Sequence, residues 1–337
     1  MDYSISSRAA SLAPSLTLAI SAKAKELRAR GEDVIGLGAG EPDFDTPQHI
    51  KDAAAQALAD GFTKYTPSSG IPELRQAVAD KFQRDYGVAY EPSQIIVSCG
   101  GKHSCFNVIY ATCEAGDEVI IPAPYWLSYP EMAKLAGAKP VILDTTDETE
   151  FKVTPEQLRE AITPSTKLFI LNSPSNPTGS VYSADEIKAL GDVCVEKGVL
   201  IMSDDIYEKL LYDGAEFTSV TGFSGEHKAH TIIVHGLAKA YSMTGWRIGF
   251  LAAPKPIAQA INAVQSHSTS NATSFAQKGA VAALNGPQDH LDKWLTEFDK
   301  RRRYAAEQLN AMPGVSCINS KGAFYLFPNM AETGLTS

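Results

Sequence analysis

One stretch of the chain, residues 232–247, reads IIVHGLAKAYSMTGWR. Its apolar, β-branched start is typical of a buried strand, and small residues beyond the strand end surround a single lysine, Lys239. Burial would disfavour the ammonium form of that lysine and leave an amine able to attack an aldehyde. A surface lysine that caps the strand end fits the same pattern, so this stretch alone leaves both interpretations open.

The bulk composition limits what kind of protein this is. The 337 residues, 44% hydrophobic and 20% charged, are typical of a soluble globular protein with one large domain and a smaller one. A net charge of −9 argues against nucleic acid or an anionic membrane as the main partner. Without a membrane-length apolar run or a signal-peptide pattern, we expect a cytoplasmic protein. Five cysteines without CxxC spacing argue against a disulfide framework and a zinc site.

Short apolar runs alternate with amphipathic stretches along most of the chain, which predicts an α/β fold with a mainly parallel sheet. The apolar runs show no period-two alternation, as in a sheet that is covered on both faces. We predict strands at residues 94–98, 118–122, 167–172, 199–203, 231–235 and 248–252. We predict helices at residues 47–59, 72–86, 102–114, 128–136, 155–162 and 184–197.

The C-terminal part of the sequence has a different pattern. It predicts a long charged helix at residues 287–311 and then two strands of a second domain, at 315–318 and 323–327. Fewer than thirty residues after the helix are too few for an independent core, so we expect the first forty-odd residues to pack with this tail, or the chain to be incomplete. The expected parts are an N-terminal arm with part of the small domain (1–45), a large domain (46–286), and an interdomain helix with an incomplete small domain (287–337).

Chemically useful side chains follow four of the predicted strands, at the point where each strand ends. In open α/β sheets, ligands bind outside the carboxyl ends of the strands, so these groups should converge. Each signal is weak by itself, and their convergence predicts a binding site. The groups are a glycine-rich helix start (Gly100, Gly101), a carboxamide (Asn176), a carboxylate with a phenol (Asp204, Tyr207) and an amine (Lys239).

Each candidate also has a structural interpretation. Gly101 at a helix start would suit an anion, with Arg247 as its bidentate partner, but a tight turn and a surface ion pair fit as well. Asp204 would suit the protonated pyridine nitrogen of a pyridoxal enzyme, although one of the two adjacent aspartates could instead cap a helix. Asn176 is either held for binding or part of an Asn-Pro turn. Trp126 either stacks on an aromatic cofactor or lies in the core.

Several longer motifs extend this pattern over nearly the whole chain. They are Gly38-Ala39-Gly40-Glu41-Pro42-Asp43-Phe44, Lys64-Tyr65, Gly70-Ile71-Pro72-Glu73-Leu74-Arg75, Asn176-Pro177-Thr178-Gly179, Ser203-Asp204 with Tyr207, and Ala238-Lys239 through Met243-Thr244-Gly245-Trp246-Arg247. With them the sequence, over about residues 5–336, resembles the class I aminotransferases of the pyridoxal-phosphate fold type I group, and most of all bacterial aspartate aminotransferases of subgroup Ib. The resemblance implies a large domain with a seven-stranded, mainly parallel sheet and a smaller α/β domain.

The resemblance also implies a role for each candidate around pyridoxal 5′-phosphate. Lys239 would carry the cofactor and move a proton between the substrate α-carbon and the cofactor. Asp204 would keep the pyridine nitrogen protonated, and Trp126 would stack on the ring. Asn176 and Tyr207 would hydrogen-bond the phenolic oxygen of the cofactor. Gly101, Lys102 and Arg247 would line its phosphate.

Substrate and partner contacts follow from the same resemblance. Tyr65 would reach the phosphate of the partner subunit's cofactor, which makes a homodimer with shared active sites necessary. The substrate would lie against Gly40, Trp126 and Asn176. The distal carboxylate of a dicarboxylic substrate would meet Ser15, Thr17 and Lys102.

Two positions depart from the family pattern. Ala238 stands where many relatives have a serine hydroxyl on the phosphate, although some aspartate aminotransferases carry alanine there. The larger departure is at the C-terminus, because family members continue beyond this point and supply an arginine for the substrate α-carboxylate. We find no residue before the end of the chain, at Ser337, to assign to that role.

The sequence therefore predicts a transaminase that transfers an amino group by a ping-pong mechanism. The favoured reaction is aspartate with 2-oxoglutarate, giving oxaloacetate and glutamate. Aromatic amino acids, alanine, kynurenine or prephenate are alternative substrates. The alternative of another class is a non-catalytic cofactor-binding module, such as the aminotransferase-like portion of a regulator. The sequence shows no evident DNA-binding segment and its net charge is −9, and both observations argue against such a regulator.

Overall fold

A twisted sheet at the centre of the chain organises the fold. The computed structural model describes residues 3–14, 16–38 and 40–334, and within them seven strands pair into one sheet. The strands are β1 (Ile95–Ser98), β2 (Glu118–Ala123), β3 (Lys139–Asp144), β4 (Thr166–Asn172), β5 (Leu200–Asp204), β6 (Thr231–Gly236) and β7 (Gly249–Ala252). Their order is β1-β7-β6-β5-β4-β2-β3, and β7 is antiparallel to both neighbours while the other pairs are parallel. The predicted α/β fold with a mainly parallel sheet is confirmed.

Helices precede, connect and follow the strands. No helix in the described ranges is long and apolar enough to span a bilayer. The helices are α1 (Ser7–Ala10), α2 (Leu16–Ala29), α3 (Gln48–Ala59), α4 (Pro72–Tyr86), α5 (Gly101–Thr112), α6 (Ser128–Ala136), α7 (Pro155–Ala161), α8 (Ala184–Lys197), α9 (Gly225–His230), α10 (Lys255–Ser266), α11 (Ser274–Asn285) and α12 (His290–Asn310).

Alternate residues of each central strand point into two different apolar layers. In β1, Ile95 and Val97 pack with α3, α4 and α11, whereas Ile96 packs with α5, α6 and α10 on the opposite face. In β6, Ile233 joins the first layer and its neighbours Ile232 and Val234 join the second. Because both faces are apolar, the strands read as continuous hydrophobic runs. Polar side chains are therefore displaced to the strand ends.

Most predicted elements appear with their ends shifted by a few residues. The six predicted strands correspond to β1, β2 and β4–β7, and the predicted helices correspond to α3–α8 and α12. The elements that were not predicted are β3, α1, α2, α9, α10 and α11. β3 lies at the sheet edge and is partly exposed along its length, so it lacks the continuous apolar run that identified the other strands.

The two strands predicted in the tail were wrong. Residues 315–318 and 323–327 form no strand, and the tail contributes two isolated bridges, Ser316 to Asn329 and Leu211 to Gly322. Ala323 has a φ of 56°, in the left-handed region, which interrupts an extended strand at that residue. The apolar residues there instead fill a compact aromatic cluster.

We call this aromatic group the tail cluster. It joins residues of the segment that follows β5, of α12 and of the tail, together with Phe44 from the N-terminal segment. Phe44 stacks on Trp294 with ring centroids 4.9 Å apart and meets Phe298 edge to face. This contact supports the expected packing of the N-terminal segment with the tail, and the domain boundaries at residues 45 and 286 stay a prediction. The other members are Ile206, Tyr207, Leu210, Tyr212, Leu295, Ala323, Phe324 and Tyr325.

A buried network of charges ties α4 to the two central strands. Lys81, on α4, lies 3.0 Å from the Asp85 carboxylate and forms a second ion pair with Glu208, which follows β5. His235, on β6, places Nε2 3.1 Å from the same Glu208 carboxylate. Burial would raise the pKa of Glu208, but Lys81 and His235 outweigh it and hold that pKa well below its usual range. Glu208 is therefore ionised, and the fold depends on Lys81 to compensate its buried charge.

Replacing Lys81 by methionine should lower the free energy of unfolding by about 3 kcal/mol, because it leaves the buried Glu208 carboxylate short of its cation. Chemical denaturation followed by circular dichroism measures the change. Lys188→Met is the matched control: its pair with Asp192 has the same helical spacing, but its side chain is 51% exposed against 1% for Lys81. The control should lose less than about 1 kcal/mol. Similar losses in both variants would contradict the importance of the buried network.

Candidate active site

The carboxyl ends of β4, β5 and β6 and the start of α5 meet at one end of the strands. Asn172, at the end of β4, donates a hydrogen bond from Nδ2 to the carbonyl of Asp204, at the end of β5, over 2.9 Å. Lys239, in the turn after β6, lies with Nζ 5.6 Å from the centroid of the Tyr207 ring. The start of α5 faces Arg247, which precedes β7. The predicted convergence of these groups is what the structure shows.

Lys239 has an unusual environment for a lysine. Its side chain is part-buried, Nζ donates a hydrogen bond to the carbonyl of Gly40, and the Phe324 ring centroid lies 5.5 Å away. Burial lowers the pKa of Lys239 to about 8, although the nearby carboxylates of Glu41 and Asp204 act in the opposite direction. An amine with this pKa is neutral in a useful fraction near neutral pH, which suits a nucleophile or a base.

Asp204 is a buried carboxylate held by uncharged donors. Oδ2 accepts a hydrogen bond of 2.6 Å from the Tyr129 hydroxyl and a longer one of 3.6 Å from Cys105 Sγ. Oδ1 accepts a 3.4 Å contact from the backbone N–H of Ile206. Burial raises the pKa of Asp204, and these donors oppose that shift. Asp204 forms no ion pair with any residue in the described part of the chain, so the site holds a buried acid that would accommodate a cation.

The opposite corner of the site is basic. α5 begins at Gly101, and Gly100 before it has a φ of 95°. A Cβ at Gly100 would come within 2.5 Å of Arg247 Nη2, so the glycine leaves room for the guanidinium beside the helix start. Lys102 lies with Nζ 4.9 Å from the centroid of the Trp126 ring, and burial, together with Arg247, lowers the pKa of Lys102. Two cations at a helix N-terminus form a site for an anion.

A group of phenols closes the site between these corners. Tyr207 is buried, and its hydroxyl lies 2.6 Å from that of Tyr325. Burial, and then Tyr325, raise the pKa of Tyr207 well above its usual value, while Asn176 opposes them. The backbone N–H of Asn176 donates to Asn172 Oδ1 over 2.8 Å, which fixes the Asn-Pro segment against β4.

The structure does not place three of the predicted site residues in this group. Tyr65 is 93% exposed and contacts none of the grouped side chains within the described residues. Thr17 is exposed on α2, and Ser15 lies outside the described residues. Their predicted roles toward a partner subunit's cofactor and toward a distal carboxylate stay predictions.

Sequence reasoning missed three side chains of the site: Tyr129, Cys105 and Tyr325. Tyr129 follows Trp126 by one helical turn in the segment after β2, so the same strand-end rule would have found it. Cys105 carries no local signal apart from its place one turn into α5. Tyr325 had no signal, because it reaches the site from a tail segment that was predicted to be a strand.

Comparison with known proteins identifies the family. Residues 32–335 match the family model described as aminotransferase class I and II. The chain belongs to this aminotransferase family. The resemblance inferred from the motifs is thereby confirmed.

Individual relatives of this aminotransferase are similar over nearly its whole length. It is 55% identical over 328 residues to an aspartate aminotransferase from Geobacillus stearothermophilus, and the aligned region covers 97% of this chain and 84% of that protein. It is 49% identical over 329 residues to an aspartate/prephenate aminotransferase from Nitrosomonas europaea, covering 97% and 83%. The crystal structure of an aspartate aminotransferase from Rhizobium meliloti matches it with a TM-score of 0.95 at 43% identity, covering 98% of this chain and 83% of that chain.

The reactivity of Lys239 in the cofactor-free aminotransferase should rise with pH around a midpoint near 8, because burial lowers its pKa to about that value. Brief labelling with an amine-specific reagent, followed by peptide mass spectrometry, measures the modified fraction at each pH. Ordinary lysines in the same digest should react about two pH units later. Glu41→Gln should move the Lys239 midpoint lower, since it removes a carboxylate that favours the charged amine. A midpoint equal to that of the ordinary lysines would contradict this environment.

Proposed function

We propose that this chain is a pyridoxal-phosphate-dependent aspartate aminotransferase that transfers the amino group of aspartate to 2-oxoglutarate. The observation that carries the proposal is the part-buried Lys239, whose pKa burial lowers to about 8, near the buried Asp204, which forms no ion pair with any described residue. Membership of the aminotransferase family supports the reaction type. The names of the two relatives, which are 49% and 55% identical to this chain, support aspartate as the substrate.

The side chains of the site fit pyridoxal 5′-phosphate. Asp204 would hold the protonated ring nitrogen, since it is a buried acid otherwise supported by uncharged donors. The start of α5, with Lys102 and Arg247, would hold the phosphate, which would also relieve the repulsion between these two cations. When bound, the cofactor supplies an aldehyde that condenses with amines and a protonated ring that withdraws electrons from the substrate α-carbon.

Lys239 would both hold the cofactor and move the proton of the reaction. Its pKa of about 8 leaves the Nζ atom able to accept the proton that departs from the substrate α-carbon and to return it when the transfer is completed. Tyr207 and Asn176, which is near enough to lower the pKa of Tyr207, would orient the cofactor through its phenolic oxygen. Trp126 would cover the ring and exclude water from one face.

The resemblance to the family suggests which residues the two substrate carboxylates would meet. Gly40 would lie beside the α-carboxylate, and its place next to Lys239 supports this. Lys102 would meet the distal carboxylate with Ser15 and Thr17, which makes Lys102 a residue that phosphate and substrate share. A dicarboxylic substrate therefore suits this basic corner better than a neutral amino acid does.

Prephenate is the second candidate substrate, because the relative from Nitrosomonas europaea is named an aspartate/prephenate aminotransferase. Prephenate is a 2-oxo acid that also carries a second carboxylate. It would use the same basic corner and differs from 2-oxoglutarate in the size of the group that must fit there.

The cofactor-loaded protein should convert aspartate and 2-oxoglutarate to oxaloacetate and glutamate. The rate of the half-reaction, followed by cofactor absorbance, should be at least tenfold higher with aspartate than with alanine, kynurenine or an aromatic amino acid. The rates with prephenate and with 2-oxoglutarate as amino-group acceptor are then compared. Lys239→Ala should lose catalysis by at least a thousandfold, because the amine that moves the proton is gone. Full transamination by this variant would contradict the role of Lys239. Cofactor uptake without any turnover would favour a non-catalytic binding module.

We also propose a homodimer in which Tyr65 reaches the phosphate of the partner subunit's cofactor. Tyr65 is 93% exposed in the single chain, so it is available for such a contact. Exposed apolar side chains of the N-terminal segment, Leu16, Ile20, Ile35 and Leu37, would be covered by the same association.

Tyr65→Phe should weaken cofactor binding about tenfold, since one hydrogen bond to a phosphate is lost. Equilibrium dialysis of the cofactor measures the dissociation constant, and sedimentation velocity measures the oligomeric state. Tyr304→Phe is the control, because Tyr304 is also exposed, at 66%, but lies on α12, for which the family resemblance implies no contact with the cofactor. A monomeric protein, or equal dissociation constants of the cofactor for both variants, would contradict the proposal of a shared active site.

A further inference from the structure

Tyr325 brings a hydroxyl from the tail into the middle of the site. This hydroxyl lies 2.6 Å from the hydroxyl of Tyr207, and the two rings meet edge to face with centroids 5.6 Å apart. It also lies against Gly40, where a Cβ would come within 2.6 Å of it. Gly40 thus leaves the space that allows Tyr325 to reach Tyr207.

The position of Tyr325 is fixed by contacts of its own. Its backbone carbonyl accepts a hydrogen bond of 2.9 Å from Ser320 Oγ, and its ring packs on Phe324 with centroids 4.9 Å apart. Burial raises the pKa of Tyr325 to about 12, so the hydroxyl keeps its proton at neutral pH and can donate it. In the described part of the chain, Tyr207 is the hydrogen-bond partner of this hydroxyl.

The direction of the phenol–phenol hydrogen bond follows from donor counting. A phenol has one proton to donate and accepts through its oxygen lone pairs. If Tyr207 donates its proton to the cofactor, its oxygen can accept from Asn176 and from Tyr325. Tyr325 is then the donor, and hydrogen bonds arranged in such a chain strengthen one another.

We propose that Tyr325 is a positioning residue that donates a hydrogen bond to Tyr207 and thereby strengthens the hydrogen bond from Tyr207 to the phenolic oxygen of the cofactor. This inference rests on the proposed function. It assigns to a tail residue, which touches no reacting atom, control over the proton affinity of the cofactor bound at Lys239. A tyrosine that served packing alone would leave that affinity unchanged.

The expected sign follows from charge. Tyr207 would contact the phenolic oxygen of the cofactor, the atom that would carry the negative charge once the cofactor held at Lys239 was deprotonated. A stronger donor stabilises the deprotonated form, and a weaker one moves the deprotonation to higher pH. Loss of the Tyr325 hydroxyl should therefore raise the midpoint of the absorbance titration.

The test is an absorbance titration against pH of the cofactor-loaded protein and its Tyr325→Phe variant, which keeps the ring and removes the hydroxyl. We expect the midpoint to rise by about half a pH unit. Tyr212→Phe is the matched control, since its hydroxyl donates to the Ala323 carbonyl over 2.6 Å within the same tail cluster but does not contact Tyr207. Its midpoint should equal that of the unmodified protein.

A double variant completes the test. In a Tyr207→Phe background, Tyr325→Phe should add no further shift, because the hydrogen bond it acts through is already gone. An unchanged midpoint in Tyr325→Phe, or an equal shift in Tyr212→Phe, would overturn this inference while leaving the proposed function intact. Failure of the unmodified protein to take up the cofactor would overturn both.

Discussion

Burial of both faces of the sheet is the constraint on which the rest of this structure depends. The side chains of β1 and β6 alternate between two apolar layers, where an ionisable group would be costly without partners. Charged and polar groups can therefore gather at the strand ends, where Asp204 and Lys239 follow adjacent parallel strands. Residues that are far apart in the sequence become neighbours because the strands that carry them end side by side in the sheet.

The buried ionisable side chains fall into two groups, which differ in whether they form ion pairs within the described residues. In one group, Lys81 forms an ion pair with Glu208, and His235 Nε2 lies 3.1 Å from the same carboxylate, so this buried charge is compensated within the fold. Within the site, burial shifts the pKa of Asp204 upwards and those of Lys239 and Lys102 downwards, so each group is biased toward its neutral form. A ligand with an anionic phosphate and a cationic ring would relieve these unfavourable environments together. The unpaired groups are thus the ones suited to binding and catalysis.

The sequence predicted those features that depend on local pattern or on strand ends. Continuous apolar runs located β1, β2 and β4–β7, and the residues after them located Asn176, Asp204 and Lys239. It failed where tertiary contacts decide the outcome. β3 is a partly exposed edge strand without such a run, and the left-handed backbone at Ala323 breaks a tail segment that is apolar enough to be a strand. Tyr325 could not be predicted, because its role requires a fold that brings the tail back over Tyr207.

Segments from the N-terminal and the C-terminal parts of the chain meet beside Lys239 and Tyr207. Gly40 accepts the hydrogen bond of Lys239, and Tyr325 meets Tyr207 beside it. These two segments are held together by the tail cluster, in which Phe44 stacks on Trp294 from α12. The contacts of Lys239 with Gly40 and of Tyr207 with Tyr325 thus depend on apolar packing that lies outside the site itself. If Tyr325 acts on the cofactor as we propose, weaker packing of the tail cluster would also change the proton affinity at Lys239, although no aromatic ring of α12 touches the amine.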